Sequence, residues 1–137
     1  MKSYIAALQV QAELSKDESN YIVTFVDGWT TENFVIPKDQ FEAHFFPMFR
    51  ANSVSDFDIV NFYEMGKEEL STIGQKTTML HVTLPSGFED VEASSCVDPA
   101  NYNEDIGAQI CTDRIKEKLW DRLGFMLQWA RHGLTTY

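Results

Sequence analysis

At 137 residues, with 44% hydrophobic and 13% aromatic content, the chain can bury one core and is too apolar to be disordered. Eleven Lys and Arg against 21 Asp and Glu give a formal net charge of −10, which argues against general binding to nucleic acid or to an anionic membrane. Such acidity keeps a protein soluble, and it also suits basic protein surfaces, including those that normally hold DNA or RNA.

From the N-terminus, Ala6, Leu8, Val10, Ala12 and Leu14 alternate with Ala7, Gln9, Gln11 and Glu13, the period-two pattern of a half-buried strand. The Gln and Glu within Met1–Leu14 also argue against a signal peptide, and no apolar run approaches the length that spans a bilayer. Ser15–Asn20 reads as a charged turn and Tyr21–Val26 as a second strand. Asp27-Gly28 is a hairpin signal, and Trp29–Ile36 returns as a third strand. Pro37 suits a first helical turn, Lys38–Phe46 makes a short helix with Phe41 and Phe45 on one face, and Pro47 ends it.

Ala51–Gly74 begins as a linker, after which Ser55 or Asp56 caps a short helix running to Met65. Lys67–Ile73 is expected to add one more helical turn before Gly74. Met79–Leu84 and Phe88–Ala93 then pair as a hairpin around Pro85-Ser86-Gly87. Asn101 or Asn103 caps a final helix whose Ile106, Ile110, Cys111, Ile115 and Leu119 follow the spacing of a sheet-facing stripe. Gly124 either interrupts this helix or is passed through, with Phe125–Ala130 as its continuation or a separate turn. The expected fold is α+β, an antiparallel sheet of hairpins packed on one long C-terminal helix. Along the chain this gives a strand–hairpin–helix module over 1–50, a linker with a short helix over 51–76, and a hairpin with the long helix over 77–137, together one compact unit.

Charge is unevenly distributed. Residues 111–137 carry five cations against three acids, net +2, whereas residues 1–110 carry six against eighteen, net −12. Arg114, Lys118 and Arg122 fall at i, i+4 and i+8 and border the apolar stripe, a position from which cations can meet phosphate. Asp113, Glu117 and Asp121 form a parallel acidic stripe one residue away, so a salt-bridged solvent face accounts for the same six residues without a ligand.

Other chemistry has little support. Cys96 and Cys111 lack a Cys-x-x-Cys or His-x-His context and read as free thiols. His44, His81 and His132 are far apart in sequence. Glu89, Asp90 and Glu92 alternate between two faces and read as a solvated hairpin edge rather than a metal site. Ser94-Ser95-Cys96 has no Gly-x-Ser-x-Gly elbow, and no phosphate-cradling Gly-rich loop occurs. No enzyme activity, metal or cofactor is expected. Trp29, Phe88 and Trp120 could stack on a base or serve as core; Phe88, after the tight Gly87 turn, has the best claim to project from a hairpin tip.

The stretch Thr77–Leu127 carries a resemblance. A strand, the Ser86-Gly87-Phe88 turn, a strand ending in Ser94-Ser95-Cys96-Val97-Asp98-Pro99, Asn101-Tyr102-Asn103 at a helix start and Lys118-Leu119-Trp120 near its end resemble a family of small tailed-phage proteins. That family is typified by accessory genes of the N-four and Sf-six phages. The order of parts is also similar to phage anti-Thoeris sponge proteins, which bind cyclic nucleotide signals of bacterial immunity without cleaving them. This likeness implies a ligand site at Phe88, Asn101, Arg114 and Lys118. Tyr21-Ile22-Val23-Thr24, Asp27-Gly28 and the run Pro37–Met48 resemble a second small phage module of no assigned activity. Together these resemblances imply a phage accessory protein that counters host defence in the cytoplasm of an infected bacterium. The alternative is an acidic inhibitor of a host nuclease, CRISPR effector or RNA polymerase, meeting its partner through Asp17, Glu18, Asp56, Asp58, Glu64, Glu68 and Glu69. A virion or assembly role and homo-oligomerisation stay open.

Overall fold

Two three-stranded antiparallel sheets carry the α+β architecture in the computed structural model, which describes residues 1–26 and 30–137. The Asp27-Gly28 turn and Trp29 lie outside the described residues. The chain divides into two units: residues 1–54 with 123–137, and residues 55–122.

In the first unit, β1 (Val10–Leu14), β2 (Asn20–Phe25) and β3 (Asn33–Pro37) pair in sequence order. The expected first strand is shorter at its start, since Ala6 and Leu8 precede the ladder. Val23, opposite Ala12 and Phe34, is fully buried. Pro37 leads directly into α1 (Lys38–His44), and Phe45 leaves it in an extended conformation. Phe41 stacks on Tyr21 at 4.2 Å and on Phe45 at 4.6 Å, which fixes α1 to β2 through aromatic packing.

The second unit starts with α2 (Asp56–Glu64). Ser55 caps it in a reciprocal box: the Asp58 N–H donates to Ser55 Oγ, and Asp58 Oδ2 accepts from the Ser55 N–H at 2.8 Å. Lys67–Ile73 is β4, a strand where the sequence suggested a helical turn. Its Leu70 and Glu68 lie opposite Leu80 and Val82 of β5 (Thr77–Thr83), and this pairing overrides the helix propensity of Lys-Glu-Glu-Leu. β6 (Glu89–Ser95) completes the order β4-β5-β6. Between β5 and β6, Leu84 and Phe88 close a tight turn in which Gly87 takes φ +86°, a conformation that favours glycine.

The long helix α3 (Glu104–His132) is continuous through Gly124 and supplies residues to both units. Asn103 Oδ1 accepts from the N–H groups of Asp105 and Ile106 and so caps it. Alternation along β5 turns Thr78, Leu80 and Val82 towards α3, where Cys111, Ile115 and Leu119 are buried as expected. Ile106 and Ile110 are instead 60% and 37% exposed. Gly107 takes the place in the stripe, because the helix approaches so closely that an added Cβ would lie 2.1 Å from Thr78 Oγ1. Tyr63 of α2 seals one flank of the core beneath Lys116, whose Nζ lies 5.3 Å from the ring centroid.

Candidate functional site

The other flank of α3 lies along β6. Because Val91 and Glu89 face away from the helix, Asp90 and Glu92 face it; Asp90 is 9% exposed. The row Arg114, Lys118, Arg122 comes down onto these two carboxylates. Lys118 Nζ lies 2.9 Å from Asp90 Oδ1 and 2.7 Å from Glu92 Oε1, and Arg122 Nη1 donates to Asp90 Oδ2 at 2.8 Å. Arg114 Nη1 donates to the Ala93 carbonyl at 2.8 Å and stands 4.0 Å from Glu92. Burial pushes the Asp90 carboxyl up, but the hydrogen bonds and charges of Lys118 and Arg122 outweigh it and hold the group below its usual range. The Glu92 and Asp90 hydrogen bonds correspondingly raise Lys118.

This geometry corrects two expectations. Asp90 and Glu92 are not a solvated hairpin edge; they are the counter-ions of the helix. The acidic stripe on α3 is not what pairs with the cations, since their ion pairs among the described residues reach across to β6; Asp113 accepts from Gln109 instead. Glu92, Arg114, Glu117, Lys118, Asp121 and Arg122 line an open groove of about 440 Å³ with three charges of each sign. It offers an anion no net positive field.

Phe88 stands 59% exposed at the hairpin tip, with the Arg122 guanidinium 5.2 Å from its ring centroid. Arg114, Lys118 and Phe88 therefore follow one line along β6. Asn101 lies at the other end of β6 from Phe88. It ends a single turn, Pro99–Asn101, beyond the far end of β6, and the seven residues of that strand intervene, a span of roughly 20 Å. The residues that sequence reasoning missed as partners, Asp90 and Glu92, were detectable in part: alternation shows they share a face, but only the register of α3 against β6 shows what that face meets.

Of the acidic candidates in this unit, Asp58 is turned inward at 1% exposure, accepting from the N–H of the Ser55 cap. Asp56 and Glu64 are exposed at the two ends of α2. Glu68 accepts from the Tyr63 hydroxyl; burial and this bond push Tyr63 up to about 12. Glu69 pairs with Lys67 at 3.2 Å and faces His81, whose other ring nitrogen meets Glu89 at 2.8 Å. In the first unit, Asp17 accepts from Ser19 and Ser15, which lower its carboxyl to about 2, and Glu18 has φ +60° in that turn. Cys111 is buried, which raises its thiol, and Cys96 is a second free cysteine. Trp120 is 40% exposed on α3.

Among the described residues no group of three or more His, Cys, Asp or Glu could hold a metal ion, and no helix is long and apolar enough to cross a membrane. No curated protein and no solved structure matches the chain. A family match does exist, and it spans β3, both short helices, the β4–β6 sheet and most of α3. Over residues 31–130 the sequence fits the Phage protein (N4 Gp49/phage Sf6 gene 66) family, and the chain belongs to it.

Proposed function

We propose that this phage protein works by binding a host protein, in the cytoplasm of the infected bacterium, through the acidic surface of residues 55–122, and that it thereby counters host defence. Six basic against fourteen acidic side chains give these residues −8 of the chain's −10. The observation that carries the reading is the engagement of Arg114, Lys118 and Arg122 with Asp90, Glu92 and the β6 backbone. Asp90 and Glu92 offset two of these three positive charges, and eleven further acids of the unit stay exposed. Such a surface steers towards a basic cleft of the kind found on nucleases, CRISPR effectors and polymerases. Tagged protein in host lysate at low salt is expected to retain one stoichiometric protein and to lose it when Glu64→Lys and Glu69→Lys are combined. Retention of no protein, or equal retention by the double variant, would contradict the proposal.

Sequestration of a cyclic nucleotide is the second reading, favoured by Phe88 and Arg122 side by side at an exposed tip, a pair suited to a base and a phosphate. Against it stand the carboxylates already on Lys118 and Arg122, and the distance of Asn101 from that tip. Protein incubated with cyclic ADP-ribose isomers or cyclic oligonucleotides and then heated would release intact ligand if this reading held; failure to bind any of them removes it.

A further inference from the structure

The two edges of the β4–β5–β6 sheet are treated differently. Leu84 donates its N–H to the Phe88 carbonyl at 2.9 Å, which fixes the phase of the ladder. In an antiparallel pair, successive residues alternate between bonding to one neighbour and facing the other way. The register then directs Thr78, Leu80 and Val82 to β6, and Thr77, Met79, His81 and Thr83 to β4. Their partners Lys67, Glu69, Ser71 and Ile73 bond inward. Glu68, Leu70 and Thr72 therefore turn their main-chain N–H and C=O groups to the outer side of β4. The sheet order ends there, and all seven residues of β4 are exposed. On β6 the same alternation turns Val91 and Ala93 outward; the Val91 N–H donates to Asp90 Oδ1 at 2.9 Å, and the Ala93 carbonyl accepts from Arg114 at 2.8 Å. Edges are normally protected; among the described residues this protection is seen on β6 and not on β4.

The open edge is also held in place. Glu68 at one end is engaged by the Tyr63 hydroxyl. Thr72 at the other end bonds Glu104 at 2.9 Å and the Tyr102 hydroxyl at 2.7 Å. Between them Leu70 is 41% exposed on the same face. A strand added here places one side chain beside Leu70 and the side chains two positions away beside Glu68 and Thr72, whose hydroxyl is bonded to Glu104. Complementarity thus asks for an apolar residue flanked at i±2 by cations.

We infer that β4 accepts an extended basic–apolar–basic segment of a partner protein as a fourth strand. This rests on the reading of a basic protein partner and specifies how that partner is held: by main-chain bonds to Glu68, Leu70 and Thr72, with charge selecting the sequence.

The probe is acetyl-Thr-Lys-Thr-Val-Thr-Lys-Thr-amide, titrated into the ¹⁵N-labelled full chain. Amide shifts and slowed hydrogen exchange are expected at Glu68, Leu70 and Thr72. N-methylation of the peptide's Val, which deletes one main-chain donor and leaves every side chain, is expected to weaken binding about tenfold or more. Leu70→Pro should do the same from the protein side, because the lost N–H does not belong to the ladder with β5. Equal binding of the methylated peptide would overturn the inference in favour of charge alone. So would shifts confined to the Glu92–Arg122 groove, or no shift at millimolar peptide. Exchange protection at these amides that rises with protein concentration in the absence of peptide would instead give the edge to a second copy. A captured host protein that stays on Leu70→Pro but leaves Glu64→Lys/Glu69→Lys would refute strand addition and keep the basic partner. Retention by both variants would refute the basic partner itself.

Discussion

Asp90 sits 9% exposed and accepts from both Lys118 and Arg122, so hydrogen bonds replace the water its charge has lost. Asp90→Asn is expected to destabilise the fold by about 1–2 kcal/mol in urea unfolding, the lower part of the range for charged hydrogen bonds because both cations are partly solvated. The carboxyl is held below the ordinary aspartate value in the folded protein, so its contribution is present above that ordinary value and is lost as pH falls through the lower folded one. Lys118 is raised above the ordinary lysine value by its bonds to Glu92 and Asp90, so its contribution is present below that ordinary value and is lost as pH rises through the higher folded one. A melting temperature that is level across neutral pH and falls in acid is expected, with the acid limb shallower in Asp90→Asn. Gly107 tests the packing on the same helix. Its substitution by Ala, normally favourable in a helix, should here cost about 1–3 kcal/mol, because the new methyl meets Thr78. Neither effect is legible in sequence. Alternation puts Asp90 and Glu92 on one face, but Gly107 and the cationic row acquire meaning only when the register of helix on sheet is known.

The hairpin of β5 and β6, the α2 cap and the long C-terminal helix follow from local patterns in the sequence, and each is present. Local pattern failed at β4. Lys-Glu-Glu-Leu favours a helix in isolation, while Leu80 and Val82 across the ladder select an extended partner. It failed again at Ile106 and Ile110, whose spacing fits a core stripe that the Gly107 contact shifts around the helix. The caps provide a quantitative check at this scale. Asn103→Ala and Ser55→Ala are each expected to lose about 1 kcal/mol in urea unfolding. Asn103→Ala should raise hydrogen exchange at the start of α3, and Ser55→Ala should do so at the start of α2, where Asp58 loses its reciprocal partner. If exchange rises uniformly instead, the caps act on the whole fold rather than on their own helices.

Over the whole molecule, charge is the property that sequence and structure describe most consistently. The net −10 is visible in composition; its concentration as −8 on residues 55–122 needs the division into units, and the internal pairing of three cations needs the side-chain geometry. If an acidic surface finds a basic partner, association should slow steeply with ionic strength while dissociation changes little, which stopped-flow mixing at two salt concentrations would read. The choice between a protein and a small-molecule target is open to one direct observation: native mass spectrometry of the chain purified from phage-infected cells at low salt. Acidic docking predicts the 15.7 kDa chain in a stoichiometric complex with a host protein. A chain carrying only a nucleotide-sized adduct would contradict it.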